Sequence, residues 1–353
     1  MQRVQDERGK VVGGADTHRD SVHVAVVDER GLPMADRAFA TTSAGYEAAI
    51  AWMRDQGRVD AVGVEGTSSY GAGFSAALRA AGITVTEVDR PDRRNRRRRG
   101  KSDPIDAYAA AQAVASGRAT TGPKTNDGPV ASIRALHVVR RSAIKARTQA
   151  ANQIRALLVT APAELREAIS STSDLVYTCA RLRPGPNRYE PATATKAALR
   201  HLARRHQQLD TEIEALDKEL RILVVHAAPP ALLDMHGVGT DVAATVLIAA
   251  GDNPDRMRSE AAFAHLCGAA PIPASSGQRQ RHRLNRGGNR EANRALYVVA
   301  ITRMRHHPQT RGFVARRTTE GLSHREIIRC LKRYIAREIY YILRAETPTG
   351  SAA

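Results

Sequence analysis

Four carboxylates stand where they could share work on a metal ion. Asp16 closes the apolar run Val11-Val12-Gly13-Gly14-Ala15-Asp16, and Glu65 closes a second run in Val62-Gly63-Val64-Glu65. Asp103 and Asp106 are three residues apart at a helix start, Ser102-Asp103-Pro104-Ile105-Asp106, so both project from one helical face. Taken singly, each has an ordinary explanation: the helix macrodipole favours an acid in a first turn, and an acid at a strand end needs no function. Brought together, carboxylates repel, and a hard divalent cation with oxygen ligands relieves that repulsion. Magnesium pairs about 4 Å apart suit phosphodiester chemistry. The expected cofactor is therefore Mg2+, two ions, with Asp16, Glu65, Asp103 and Asp106 as metal and catalytic residues.

A second constellation lies far downstream. Ser275-Ser276-Gly277 reads as a turn, but Arg279, Arg281, His282, Arg283 and Arg286 follow within a dozen residues. A serine hydroxyl is a poor nucleophile until its proton is taken and the charge on phosphorus is stabilised, and these cations could stabilise it. His282 reads equally as a general base or as a phosphate contact. Pro271 and Pro273 stiffen the approach.

The elements that must position the acids follow from periodicity. Residues 11–16, 21–27 and 34–41 read as three strands joined by tight turns, the third returning antiparallel. A helix opens at Ser43 and runs to about Gln56. Strand 60–65, helix 74–81 and strand 83–88 come next, and Ser102 caps a helix over 103–116 with Pro104 in its first turn. Three antiparallel strands followed by strand–helix alternation is the order of an RNase H-like (RuvC-like) α/β domain, expected over 10–125. In such a sheet the first and fourth strands are neighbours and the late helix crosses their ends, so the four acids converge.

Residues 126–228 are expected to form a helical, coiled-coil linker. Residues 131–160 read as one helix, and Leu199, Leu202, His206, Leu209, Ile213, Leu216, Leu220 and Leu223 trace an a/d heptad seam with one polar interruption. Its partner is open: another helix of this chain, another subunit, or a helix bundle. Residues 229–345 are expected to be a mainly α-helical domain. Within it, Leu232 to Thr240, with Gly237-Val238-Gly239, has the shape of a helix–hairpin–helix, or equally of a plain turn between helices. Pro271–Gly288 reads as a polar loop, and 346–353 as a disordered tail.

Composition sets the class of partner. The 353 residues carry 54 Lys and Arg against 36 Asp and Glu, for a net charge of +18. Residues 90–101 hold a net +7 and residues 279–344 a net +13, which leaves the rest close to neutral. Concentrated arginine favours a polyanion, and phosphate in particular. The expected nucleic-acid contacts are Arg93, Arg94, Arg96, Arg97, Arg98, Arg99 and Lys101 in the first block, and Arg279, Arg281, Arg283, Arg286 and Arg290 in the second. Aromatics at 4% argue against recognition by many stacked rings. Three scattered cysteines form neither a disulfide framework nor a zinc pattern. No signal peptide or spanning segment is apparent, so a soluble, reduced, intracellular protein is expected, without a membrane partner.

Asp16-Thr17-His18, Glu65-Gly66-Thr67-Ser68-Ser69-Tyr70 and Lys101-Ser102-Asp103-Pro104-Ile105-Asp106-Ala107 resemble the DEDD motifs of the insertion sequence 110 family of transposases, relatives of the Piv invertases. Gly268-Ala269-Ala270-Pro271-Ile272-Pro273-Ala274-Ser275-Ser276-Gly277 and Arg283-Leu284-Asn285-Arg286-Gly287-Gly288-Asn289-Arg290 are similar to that family's C-terminal motif. The resemblance implies a RuvC-like domain, a coiled-coil connection and a C-terminal transposase domain with a catalytic serine. Ser275 aligns with that serine, and Ser276 stays open. It also implies double-stranded donor and target DNA, an element-encoded bridge RNA, a homo-oligomer (dimer, tetramer in synapsis) and the bacterial cytoplasm, on the nucleoid when DNA-bound. Three competing readings explain less. A junction nuclease using metal-activated water leaves the serine region and heptads idle. An actin-like kinase lacks its second phosphate loop, and a non-catalytic RNA- or DNA-binding protein leaves the acids unexplained.

Overall fold

Alternating valines give the first two strands. The protein, a computed structural model describing residues 9–88, 102–125, 127–170, 174–187, 189–275 and 282–345, has them as β1 (Lys10–Thr17) and β2 (Ser21–Asp28). Arg93, Arg94, Arg96, Arg97, Arg98, Arg99, Lys101, Ser276, Arg279 and Arg281, with the expected tail 346–353, lie outside the described residues. The chain divides into two compact units, residues 1–126 and 127–353.

In the first unit, β2 runs antiparallel to both β1 and β3 (Pro33–Ala40). The strands β4 (Arg58–Glu65) and β5 (Thr84–Val88) extend the sheet in parallel from β1, giving the order β3-β2-β1-β4-β5. Helices α1 (Ser43–Gln56) and α2 (Ala72–Ala80) cover one face, where Val22, Val24, Val26, Val62 and Val64 bury against Ile50, Met53, Phe74 and Leu78. Helix α1 opens at Ser43 as expected and is capped by Thr42, whose hydroxyl accepts from the Gly45 amide at 3.1 Å.

Helix α3 (Asp103–Ala115) takes the opposite face. Side chains alternate along a strand, so with Met53 packed beside Gly13, the next residues Gly14 and Asp16 turn towards α3. A Cβ on Gly14 would lie 2.2 Å from both the Ala107 carbonyl oxygen and the Ala111 amide nitrogen, and one on Gly63 would lie 2.7 Å from the Ala110 carbonyl oxygen. The helix backbone rests directly on the sheet. Ala111 packs with Val12 and Val27 further down, so the start of α3 lies at the carboxyl end of β1. Ser102 occupies the N-cap position, but its side chain makes no capping hydrogen bond there; the Asp106 amide closes the turn onto the Ser102 carbonyl at 3.1 Å.

The second unit begins with a helical hairpin. Helix α4 (Pro129–Val159) is about 46 Å long and α7 (Pro191–Ala227) about 55 Å at 1.5 Å per residue. The short helices α5 (Ala163–Ser170) and α6 (Leu175–Ala180) lie between them in sequence. The long helices run antiparallel: Ile154 and Leu158 share a core with Leu199 and Ala203 at one end, and Val130 and Ile133 share another with Leu220 and Val224. The heptad seam thus meets α4 of the same chain. Its polar member, His206, stands 3.0 Å from Asp210, which also takes Arg147 of α4 at 2.5 Å. Arg140 pairs with Asp217 one heptad along.

Beyond the hairpin come α8 (Pro230–Asp234), α9 (Thr240–Ala250) and α10 (Glu260–Leu266). Two short strands follow, β6 (Ile272–Pro273) and β7 (His282–Arg283), and then α11 (Arg290–His306), α12 (Pro308–Thr319) and α13 (His324–Ala345). Strands β6 and β7 pair antiparallel, so the segment expected as a plain loop carries a two-stranded ribbon. Among the described residues no helix is long and apolar enough to cross a membrane.

Replacing Gly14 with alanine should force α3 off the sheet and cost on the order of 1–3 kcal/mol of overpacking. Gly122→Ala, where an added Cβ meets nothing within 4 Å, should stay within about 0.5 kcal/mol. Urea unfolding of the two variants checks this, and equal midpoints would refute the close approach.

Candidate functional site

In the first unit, β1 and β4 end side by side. Ala15 pairs with Val64 in parallel register, so Asp16 and Glu65 are the next neighbours, both on the sheet face that α3 covers. The Thr17 hydroxyl donates to the Glu65 carbonyl at 3.1 Å, tying the two strand ends together. Gly66 then turns at φ +69°, left-handed backbone that favours glycine. The following Thr67 is buried, donating its hydroxyl to Glu87 at 2.8 Å.

Asp103 and Asp106 arrive on the first turn of α3. Asp106 is buried, at 4% exposure, and Asp16 at 8%, whereas Asp103 is half-buried. The His18 Nε2 stands 3.3 Å from Asp16 Oδ2 and 3.2 Å from Asp103 Oδ1. Donor atoms of Asp16, His18 and Asp103 all lie within 4.8 Å of one another, a cluster that can hold a metal ion. Strand and helix thus bring together two acids that are 87 positions apart in sequence. Glu65 and Asp106 share their elements and their face, the first by strand alternation and the second by the three-residue helical spacing.

Two features of this site escape sequence reading. His18 is one. It stands in the Asp-Thr-His motif, and only the turn after β1 shows that its ring reaches both carboxylates. The other is a polar relay beside the cluster. His23 faces Asp16 across the β1–β2 pair, and its Nε2 lies 2.7 Å from Asp36 Oδ2. Tyr108 of α3 donates its hydroxyl to Asp36 Oδ1 at 3.1 Å. Burial first, and then Asp36, push the Tyr108 phenol up to about 12, so it remains a donor and pins the helix to the edge strand.

In the second unit, Ser275 is exposed two residues beyond β6. Arg283 and His282 stand across the ribbon in register with Ile272 and Pro273. Arg286 and Arg290 are exposed on the return into α11. The ribbon is rooted by three asparagines. Asn285 donates its side-chain amide to the His265 carbonyl at 2.9 Å, and the Asn289 backbone N–H donates to the Leu266 carbonyl at 2.6 Å. Asn293 donates to the Cys267 and Gly268 carbonyls at 2.9 Å each. Asn285 and Asn289 thus meet the last two carbonyls of α10, and Asn293 those of the turn that follows, while the Cys267, Ala269 and Ala270 amides take the Phe263 and Ala264 carbonyls. Asn289 also caps α11, accepting from the Glu291 and Ala292 amides.

Both units match known proteins. A family model for DEDD transposases of the IS110 type, described as "Transposase", covers residues 13–162, which include the four acids. A second, described as "Transposase IS116/IS110/IS902 family", covers residues 230–315, which include Ser275. The chain is 31% identical over 158 residues to the insertion element IS110 uncharacterized 43.6 kDa protein of Streptomyces coelicolor, a stretch covering 44% of this chain and 37% of that protein. It is 30% identical over 145 residues to the insertion element IS900 uncharacterized 42 kDa protein of Mycobacterium paratuberculosis, covering 40% and 36%. The matched stretches span little more than a third of either relative. The chain belongs to the IS110 family of transposases.

If the cluster holds a divalent cation, Mg2+ or Mn2+ should raise the thermal midpoint, with a stabilisation of about 2.7 kcal/mol at a hundredfold excess over Kd. Asp16→Asn and Asp103→Asn should each remove most of that shift in differential scanning fluorimetry. A shift of undiminished size in both variants would place the cation elsewhere.

Proposed function

We propose that this chain is a DNA recombinase that excises and inserts an insertion-sequence element by strand exchange, guided by an element-encoded bridge RNA. The observation that carries the reading is the meeting of Asp16 and Asp103 donor atoms at the carboxyl end of the central strand β1, in a chain that belongs to a transposase family. The sheet order β3-β2-β1-β4-β5, with three antiparallel strands and then parallel ones, supports an RNase H-like, RuvC-like assignment for residues 10–125. We assign 126–228 to a coiled-coil linker and 229–345 to the transposase domain that presents the serine.

Asp16, Glu65, Asp103 and Asp106 would hold magnesium, two ions in this reading. Two carboxylates and an imidazole within 4.8 Å fit a cation, and carboxylate oxygens suit a hard one. A bound divalent cation supplies Lewis acidity and charge neutralisation at a phosphodiester. The residues themselves have definite tasks. Asp16 and Glu65 fix the position of the site on rigid strands, and α3 sets Asp103 and Asp106 above them. Arg93, Arg94, Arg96, Arg97, Arg98, Arg99 and Lys101 run into α3 and would hold the nucleic-acid backbone. Arg279, Arg281, Arg283, Arg286 and Arg290 would do so around the serine.

In this reading Ser275 Oγ attacks the phosphorus, forming a serine phosphodiester and releasing a strand hydroxyl. The serine proton passes to solvent or to His282. Reversal by an incoming strand hydroxyl reseals DNA and regenerates the serine, so the ester conserves the bond energy that hydrolysis discards. Holding two duplexes calls for more than one subunit, a dimer or a synaptic tetramer. The setting is the bacterial cytoplasm.

Incubating the protein with junction-bearing DNA, its RNA and Mg2+ should yield a covalent protein–DNA adduct that peptide mass spectrometry maps to Ser275. Ser275→Ala should bind DNA and RNA yet form no adduct and no recombinant product. An adduct on Ser276 would move the nucleophile by one residue. One formed by the double alanine variant would end the serine assignment.

A further inference from the structure

Beneath the root of the serine ribbon lies a cavity of about 250 Å³, walled by Gly268–Pro271 ahead of β6, by residues 282–285 around β7, and by one face of α13. It is smaller than the roughly 300 Å³ at which drug-sized sites begin, so it excludes a duplex and has room for no more than about one nucleotide unit. Its lining is unbalanced in charge. Among the described residues, Arg283, Arg329, Lys332 and Arg333 all border it and no Asp or Glu does. Arg333 is committed to Glu260 at 2.8 Å. Lys332 is half-buried, donates to Asn293 Oδ1 at 2.8 Å, and among the described residues has no carboxylate partner. Burial, with Arg329 beside it, draws the Lys332 ammonium below its ordinary range. Beside these cations stands Tyr334, a residue 45% exposed whose ring Phe313 meets edge-on at 5.7 Å, and Leu284 also lines the cavity.

A cation crowded by another cation and lacking a counter-ion is answered by an anion, and phosphate oxygens accept from both Arg and Lys. An exposed ring held rigidly beside it offers a stacking face to any base. We propose that this cavity receives one unstacked nucleotide of the strand held at the serine ribbon. Its phosphate rests on Lys332 and Arg329, and its base lies against Tyr334 and Leu284. The proposal rests on the reading that the chain handles nucleic-acid strands, and it does not require the serine chemistry.

The test is fluorescence anisotropy with the full chain in EDTA. The probes are a labelled 12-nucleotide single-stranded DNA, the RNA of the same sequence and the corresponding DNA duplex. Tyr334→Leu should weaken single-strand binding roughly tenfold, the size of one lost stack. Lys332→Met should flatten the single-strand salt dependence by about 0.7 log unit. Duplex binding should move less than about twofold in either variant. Weakening confined to DNA assigns the nucleotide to the recombining strand, and weakening confined to RNA assigns it to the guide; either supports the cavity. Unchanged affinity and slope for both single strands overturns it, as does an equal loss for all three probes. Arg329→Gln on the exposed rim repeats the charge test if Lys332→Met does not fold. No step of the assay uses Ser275 or a cation, so a failure of the serine chemistry leaves its outcome untouched.

Discussion

The acid site depends on the contact of one helix backbone with the sheet. At Gly14 and Gly63 the α3 main chain comes closer than any side chain would permit, and that closeness sets the depth at which Asp103 and Asp106 sit over the strand ends. A larger residue at either position would lift the helix by ångströms, and metal ligation tolerates only tenths of one. The small residues Ala107, Ala110 and Ala111 form the matching helix surface and are nearly inaccessible. Tyr108 and its bond to Asp36 keep the helix from rotating about its own axis. The price of such a dry, close interface is that two acids, Asp16 and Asp106, end up largely out of water, and a buried carboxylate is best met by a cation.

The second unit solves a different problem, that of holding in place a two-stranded ribbon too short to be stable by itself, with the exposed Ser275 just beyond its first strand. The answer is main-chain anchoring. Asn285 and the Asn289 backbone reach the last two carbonyls of α10, Asn293 takes the Cys267 and Gly268 carbonyls just beyond it, and Lys332 joins α13 to that same asparagine. The ribbon is therefore tied to the end of α10, the start of α11 and the flank of α13 rather than held by its own hydrogen bonds alone.

Much of this is legible in the sequence. The valine alternation of 11–27 and the acids that close apolar runs declare strands with carboxylates at their ends, and the pair Asp103 and Asp106 declares a helix face. The heptads from Leu199 to Leu223 declare one long helix. Other features depend on register, which periodicity does not carry. The neighbourhood of His23 with Asp16 follows from strand pairing, and the reach of His18 to Asp103 follows from the path of a turn. Ribbon strands of two residues with proline and arginine leave no period to detect. The asparagines at 285, 289 and 293 look like polar filler until the end of α10 is found beside them. The seam itself says that it will be covered but not by which helix, because leucine is equally content against any apolar partner.

That hairpin has a further property. Arg140 faces Asp217 and Arg147 faces Asp210, so the two charge pairs are spaced one heptad apart on each helix. Sliding one helix past the other by a heptad, about 10.5 Å, would keep the leucines interleaved and would cost the apolar seam little. It would nevertheless strand one arginine opposite Val224 or Ala203 and leave one aspartate alone. Leucines make the two helices adhere, and the ionic pairs make only one alignment acceptable. A paired rod fixed in this way is a ruler of definite length, and whatever its far end holds is kept at a set distance from the helices that anchor the ribbon.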